Sequence, residues 1–199
     1  MVRFLSVHNV ALLSLLLVPA LSACQPIQPV AAQTPAQALE AKVQNAMSAA
    51  PLNIAQEATI LDWPSEEGGE MVVLRQGTNG WTCITDWPAS PGNDPQCNDP
   101  VWTAWNEAYA QGETPEVTSP GIAYMLMGGS DPSNTDPYAT EPLAGEEWVA
   151  TPPHIMVLVP GGFDATQFTT DHHAGGPYIM WDGTPYEHLM VPVQQDASH

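Results

Sequence analysis

His154-Ile-Met-Val-Leu-Val159, Tyr178-Ile-Met-Trp-Asp182 and His188-Leu-Met-Val-Pro-Val193 are three short apolar runs set off by Pro and Gly, and their reading decides the fold. Each is too short for a helix and has the β-branched content and punctuation of a strand. Four earlier runs have the same character: Ala58 to Asp62, Glu70 to Gln76, Gly80 to Thr85 and Ile122 to Met127. Two helices break the pattern. Thr34-Pro-Ala-Gln37 has the order of a capping box with Pro at the first helical position, and Leu39, Val43, Ala46 and Met47 follow at helical spacing before Pro51. Asp99-Pro100 caps a second helix, ending near Gly112, whose Trp102, Trp105 and Tyr109 form a stripe expected to be buried. The sequence therefore predicts an α+β, β-rich single domain over residues 34–199. It should hold an antiparallel sheet or sandwich, an N-terminal helix and one short inserted helix.

Ahead of this domain, Arg3 precedes an apolar run from Val10 to Leu21 that is too short to span a bilayer permanently. The run ends in Leu21-Ser-Ala-Cys24, which resembles the lipobox of bacterial lipoproteins. That resemblance implies a signal peptide over residues 1–23, lipid on Cys24, and a tether over residues 24–33. The uncharged tether reaches up to roughly 30 Å at about 3.3 Å per residue. It also implies attachment to a membrane of the cell envelope on the periplasmic side, and Gln25 in place of Asp favours the outer over the inner membrane. Lipidation uses one of three cysteines, so Cys83 and Cys97 remain as a pair expected to be bonded in an oxidising compartment. The bond should close the long loop between Ile84 and Asp99, a constraint corresponding to about 3 kcal/mol.

Charge narrows the range of partners. The chain carries 22 acidic residues against three basic ones, a formal net charge of −19. Such a field repels nucleic-acid phosphates, which excludes nucleic acid, and attracts cations and basic proteins.

The strand ends carry the sharpest chemistry. His154 and Met156, and likewise His188 and Met190, are two residues apart on expected strands, so each pair shares a face. Imidazole with thioether suits copper where thiolates are oxidised. Met180 and the pair His172-His173, beside Asp171, are further candidate ligands. Pro153-His-Ile-Met-Val-Leu158 resembles the His-x-Met strand of the periplasmic copper chaperones, which implies ligation by His154 and Met156. That family also uses an upstream His-Met pair, whereas no histidine lies between Cys24 and His154. The bland reading makes Met156, Met180 and Met190 core fillers and both strand histidines buried and hydrogen-bonded.

Other ligand sets are weaker. Asp171, His172, His173, Glu187 and His188 have the ingredients of a zinc site, but Ala174-Gly-Gly-Pro177 marks a loop. Asp131, Ser133, Asn134, Thr135 and Asp136, with Asp94 and Asp99, offer oxygens for calcium, although the EF-hand positions of Gly and Glu are filled by Asp136 and Pro142. Gly129-Ser130-Asp131 is not a nucleophile elbow. A hydrolase would need two opposed carboxylates in a cleft, or an acid beside His172 or His173.

Asn79-Gly-Trp-Thr-Cys83, Pro91-Gly-Asn-Asp-Pro95, Ser133-Asn-Thr-Asp-Pro-Tyr138 and Thr184-Pro-Tyr-Glu-His-Leu-Met190 look like strings found in a group of bacterial exported proteins. That resemblance implies a shared domain and brings no activity with it. The expectation is an envelope lipoprotein that binds an envelope protein partner rather than catalysing. Metal handling through the His-x-Met pairs is the alternative, and an envelope hydrolase the second alternative.

Overall fold

In the computed structural model, which describes residues 33–66 and 68–193, the chain winds first into α1 (Pro35–Met47) under the control of its capping box. Thr34 Oγ1 accepts from the Gln37 amide at 3.3 Å, and Gln37 Oε1 accepts from the Thr34 amide at 2.9 Å. Val43 and Ala46 turn inward while Leu39 faces solvent, so the apolar stripe is narrower than its spacing suggested. One further turn, α2 (Leu52–Ala55), starts at Pro51 and is too short to show a period. The signal peptide, Cys24 and the tether up to Ala32 lie outside the described residues. Among the described residues, no helix is long and apolar enough to cross a membrane.

All seven expected strands form, mostly trimmed at their ends. They are β1 (Thr59–Asp62), β2 (Val72–Arg75), β3 (Thr82–Ile84), β5 (Gly121–Met125), β8 (His154–Leu158), β9 (Tyr178–Met180) and β10 (His188–Pro192). Three more, β4 (Gln96–Asn98), β6 (Gly129–Asp131) and β7 (Val149–Thr151), have no apolar alternation to announce them. The main sheet runs β2-β1-β3-β4-β5-β8-β10-β9, and β6 and β7 make a separate two-stranded ribbon. The main sheet is mixed: β1 and β3 are parallel, and the other neighbours are antiparallel.

Cys83 and Cys97 are bonded as expected, and they are direct partners in the β3–β4 register with Cα atoms 3.9 Å apart. The bond thus closes the irregular 85–95 loop at its base by joining two neighbouring strands. Gln96-Cys-Asn98 holds as a strand because β3 and β5 supply partners on both its edges.

Helices cover opposite faces at opposite ends of the sheet. α1 and α2 pack over Ile60, Cys83 and Cys97 with a layer of alanines. α3 (Pro100–Gln111) packs Trp102 and Trp105 over Ala123, Met156, Leu158, Tyr178, Met180 and Met190. Asp99 fixes the second arrangement. Its Oδ1 accepts from the Trp102 amide at 2.8 Å and caps α3, while Oδ2 accepts from the Ile122 amide at 2.7 Å on β5.

Replacing both Cys83 and Cys97 by Ala should lower the unfolding free energy by about 3 kcal/mol, because the unfolded chain regains the entropy that closing a loop of this size withholds. Urea titration of the two proteins checks this. An unchanged midpoint would mean that the strand pairing alone holds β4.

Candidate functional site

Sheet register decides which of the expected ligands meet. Met156 lies opposite Met190, His154 opposite Pro192 on one side and Met125 on the other, and His188 opposite Met180. All point to the face covered by α3 and are buried there, apart from Met125 and Pro192, which are partly buried. His188 is thus opposite Leu158 and four residues along from His154, about 13 Å at ~3.3 Å per residue. The set therefore divides into two groups rather than converging as one.

The His188 group is aromatic. The imidazole meets Trp102, Trp105 and Trp181 edge-on, with ring centroids 5.4, 5.8 and 5.1 Å away. Its Nδ1 donates to the Tyr186 carbonyl at 3.0 Å, and burial holds its pKa down at about 4. Trp181, Trp105, Tyr109 and Tyr138 then stack in near-parallel contact towards the surface. Trp181 has a left-handed backbone, φ 57°, and is held there by its amide bond to the Asn134 carbonyl and its indole bond to the Ser133 carbonyl. Sequence reading saw Trp105 and Tyr109 as a stripe and missed Trp181, Tyr138 and Tyr186, whose partners are remote in the chain.

The His154 group is polar and incompletely bonded. His154 is 1 % exposed; its Nδ1 donates to the Pro152 carbonyl at 2.8 Å, and its Nε2 is buried with no partner among the described residues. That bond fixes the tautomer and leaves the Nε2 lone pair facing the interior. Burial pushes its pKa down to about 4. The ribbon of β6 and β7 closes over this end. A Cβ on Gly129 would lie 3.6 Å from His154 Cε1, 3.7 Å from Met125 Sδ and 2.9 Å from Met125 Cε, so the glycine opens the space these side chains occupy. Asp131, two residues on, shares that side of β6. Burial, helped by the charge of Asp94, raises its carboxyl to about 7. Thr151, paired with Gly129, lies 3.4 Å from the Tyr178 hydroxyl through its own. Asn98 is also buried with both amide atoms unpartnered among the described residues, and nothing in the structure explains it.

Outside the ribbon lies a cleft of about 320 Å³ between the Pro91–Asp94 turn and the β6–β7 strands. Asp94 forms its floor with Ser130, whose Oγ is 3.3 Å from Asp94 Oδ2, and Met127 and Trp148 form its walls. Burial, with Asp86 nearby, raises the Asp94 carboxyl above its ordinary value. Trp148 continues into Trp87 at 6.4 Å and from there into Trp63 at 6.5 Å, all three partly exposed. Asp94 is the one carboxylate lining this cleft among the described residues, so no opposed pair is present there.

The remaining candidates serve turns. His172 and His173 lie on a surface turn, and because the chain is folded there rather than extended their rings come within 3.9 Å. Asp171 Oδ1 accepts from the His173 amide. Ser133 Oγ accepts from the amides of Thr135 and Asp136, and Asp136 Oδ1 from that of Tyr138. Among the described residues, no three His, Cys, Asp or Glu side chains are grouped to hold a metal. Comparison with protein-family models, curated proteins and solved structures finds no match to the chain.

The two histidines and Asp131 push stability in opposite directions with pH. A histidine held near 4 when folded and near 6.5 when unfolded contributes stability that is lost as pH falls between those values. An aspartate raised to about 7 contributes stability that is lost as pH rises from its ordinary value towards 7. Two histidines outweigh one acid, so denaturation midpoints should fall as pH drops from about 6.5 to about 4. The fall should steepen in Asp131→Asn, where the opposing contribution is gone. An equal slope in parent and variant would place the Asp131 carboxyl in contact with water.

Proposed function

We propose that this chain is a lipid-anchored envelope protein that works by binding, and that the cleft between the disulfide loop and the β6–β7 ribbon receives a basic segment of an envelope protein partner. The observation that carries the reading is the cleft itself: a buried carboxylate on its floor, an indole and a thioether on its walls, and an indole chain leading away from it. A carboxylate at the base selects positive charge, and indole faces accept an ammonium or guanidinium and its aliphatic stem. The net charge of −19 favours encounter with such a partner. Leu21-Ser-Ala-Cys24 supports the anchor.

Two measurements test the reading. Fractionation of cells expressing the parent chain should place it with membranes, and Cys24→Ser should shift it to the soluble fraction; a variant that stays with the membranes would rule out the lipid anchor. For the cleft, an oligolysine peptide titrated into the full-length chain should quench tryptophan fluorescence. Asp94→Asn and Trp148→Ala should each weaken binding about tenfold, equivalent to about 1.4 kcal/mol. Glu107→Gln, on the exposed side of α3, should leave it unchanged. Equal weakening by Asp94→Asn and Glu107→Gln, with none by Trp148→Ala, would show that the peptide reads only net charge.

A further inference from the structure

Behind the cleft, separated from it by the backbone of Gly128 and Gly129, lies the unbonded Nε2 of His154. A buried acceptor without a donor is costly, and the protein supplies none among the described residues. What it supplies instead is sulfur. Met125 is the direct cross-strand partner of His154; Met125 Cε and Sδ lie 2.9 and 3.7 Å, and His154 Cε1 3.6 Å, from one point beneath Gly129. That point is where any residue but glycine would place a Cβ, and Gly129 has an ordinary negative-φ backbone that does not itself demand glycine. Met156, the next residue on the same face of β8, brings a second thioether.

We propose that His154 and Met125 bind a single soft monovalent cation, Cu(I), between the imidazole Nε2 and the thioether sulfur, beneath the β6–β7 ribbon where Gly129 makes room for the Met125 side chain. A neutral imidazole nitrogen and a thioether are the donors that such an ion prefers over water and over carboxylates. The Pro152 carbonyl orients the imidazole through the nitrogen that does not ligate, as hydrogen-bonded carbonyls do for histidine ligands in metal sites. Entry is through the acidic cleft, whose lining includes Gly128, Gly129 and the Pro152-Pro153 pair that leads into His154. The site differs from a four-ligand His-x-Met arrangement because the register carries His188 to the far side of Met156 and Met190.

The test is competition for Cu(I), under ascorbate, between a chromophoric chelator and the full-length chain carrying Cys24→Ser, so that no free thiol competes. The expected result is uptake of one equivalent. Met125→Leu removes the sulfur at nearly constant size and Gly129→Ala drives a methyl against the Met125 thioether and displaces it, and each should weaken uptake at least about tenfold. Both keep a stable side chain or backbone at their positions, so the test does not depend on whether His154→Gln folds. Met190→Leu and the His172→Ala, His173→Ala double variant should bind as the parent does. X-ray absorption should show nitrogen and sulfur at copper. No uptake by the parent overturns the proposal, as does uptake that survives both Met125→Leu and Gly129→Ala, or uptake lost with His172 and His173. The outcome is separate from that of the cleft, because Asp94→Asn can lose the peptide while the interior donors remain.

Discussion

One carboxylate sets where α3 lies. Asp99 spends Oδ1 on the first turn of the helix and Oδ2 on the backbone of β5, so the helix cannot start anywhere else relative to the sheet. An N-cap of this kind is worth about 1 kcal/mol, a small part of a domain's stability. Its positional effect is larger. With the start fixed, Trp102 and Trp105 fall over the β8–β10 register, and the Trp102 indole reaches the Met156 carbonyl at 3.3 Å. Met156, Met180, Met190 and His188 then pack beneath the same two indoles.

The small ribbon completes what the helix leaves open. α3 covers the His188 end of the face, and β6 and β7 cover the His154 end with residues that alternate in and out. Ser130, the buried residue of β6, contacts Asp94, while Gly129 and Asp131 are partly buried on the other side of the strand, Gly129 against Met125 and His154. Burial raises the carboxyls of both Asp94 and Asp131, and the charge of Asp94 adds to the second.

Long, periodic segments were legible in the sequence and short paired ones were not. The capping box at Thr34, the cap at Asp99 and the alternation along β8 and β10 each carry their own local signal, and each forms as expected. β4, β6 and β7 owe their existence to neighbours, since Gln96-Cys-Asn98 and Gly129-Ser-Asp131 have no periodicity of their own. The same limit applied to the site. Period-two spacing correctly put His154 with Met156 and His188 with Met190 on one face, but spacing along a strand says nothing about register between strands. Register is what pairs His154 with Met125, a residue whose strand was legible and whose role was not. Gly129 was read for what it lacks as a nucleophile elbow, when its consequence lies in the missing Cβ.

The acidic character of the exterior follows from where the few positive charges go. Among the described residues, Lys42 pairs with Asp62, and Arg75 is turned inward, donating to the carbonyls of Ala55 and Ala58 at 2.7 and 3.0 Å. Both basic side chains are engaged in holding the α1 end of the sheet together, so neither neutralises the acidic exterior near the cleft. An approaching ligand meets negative charge first, which sorts by sign over distances of about a Debye length. Past the ribbon the side chains are imidazole, thioether and indole, groups more polarisable than the carboxylate of the cleft. The backbone of Gly128-Gly129 is where the acidic cleft gives way to these softer groups.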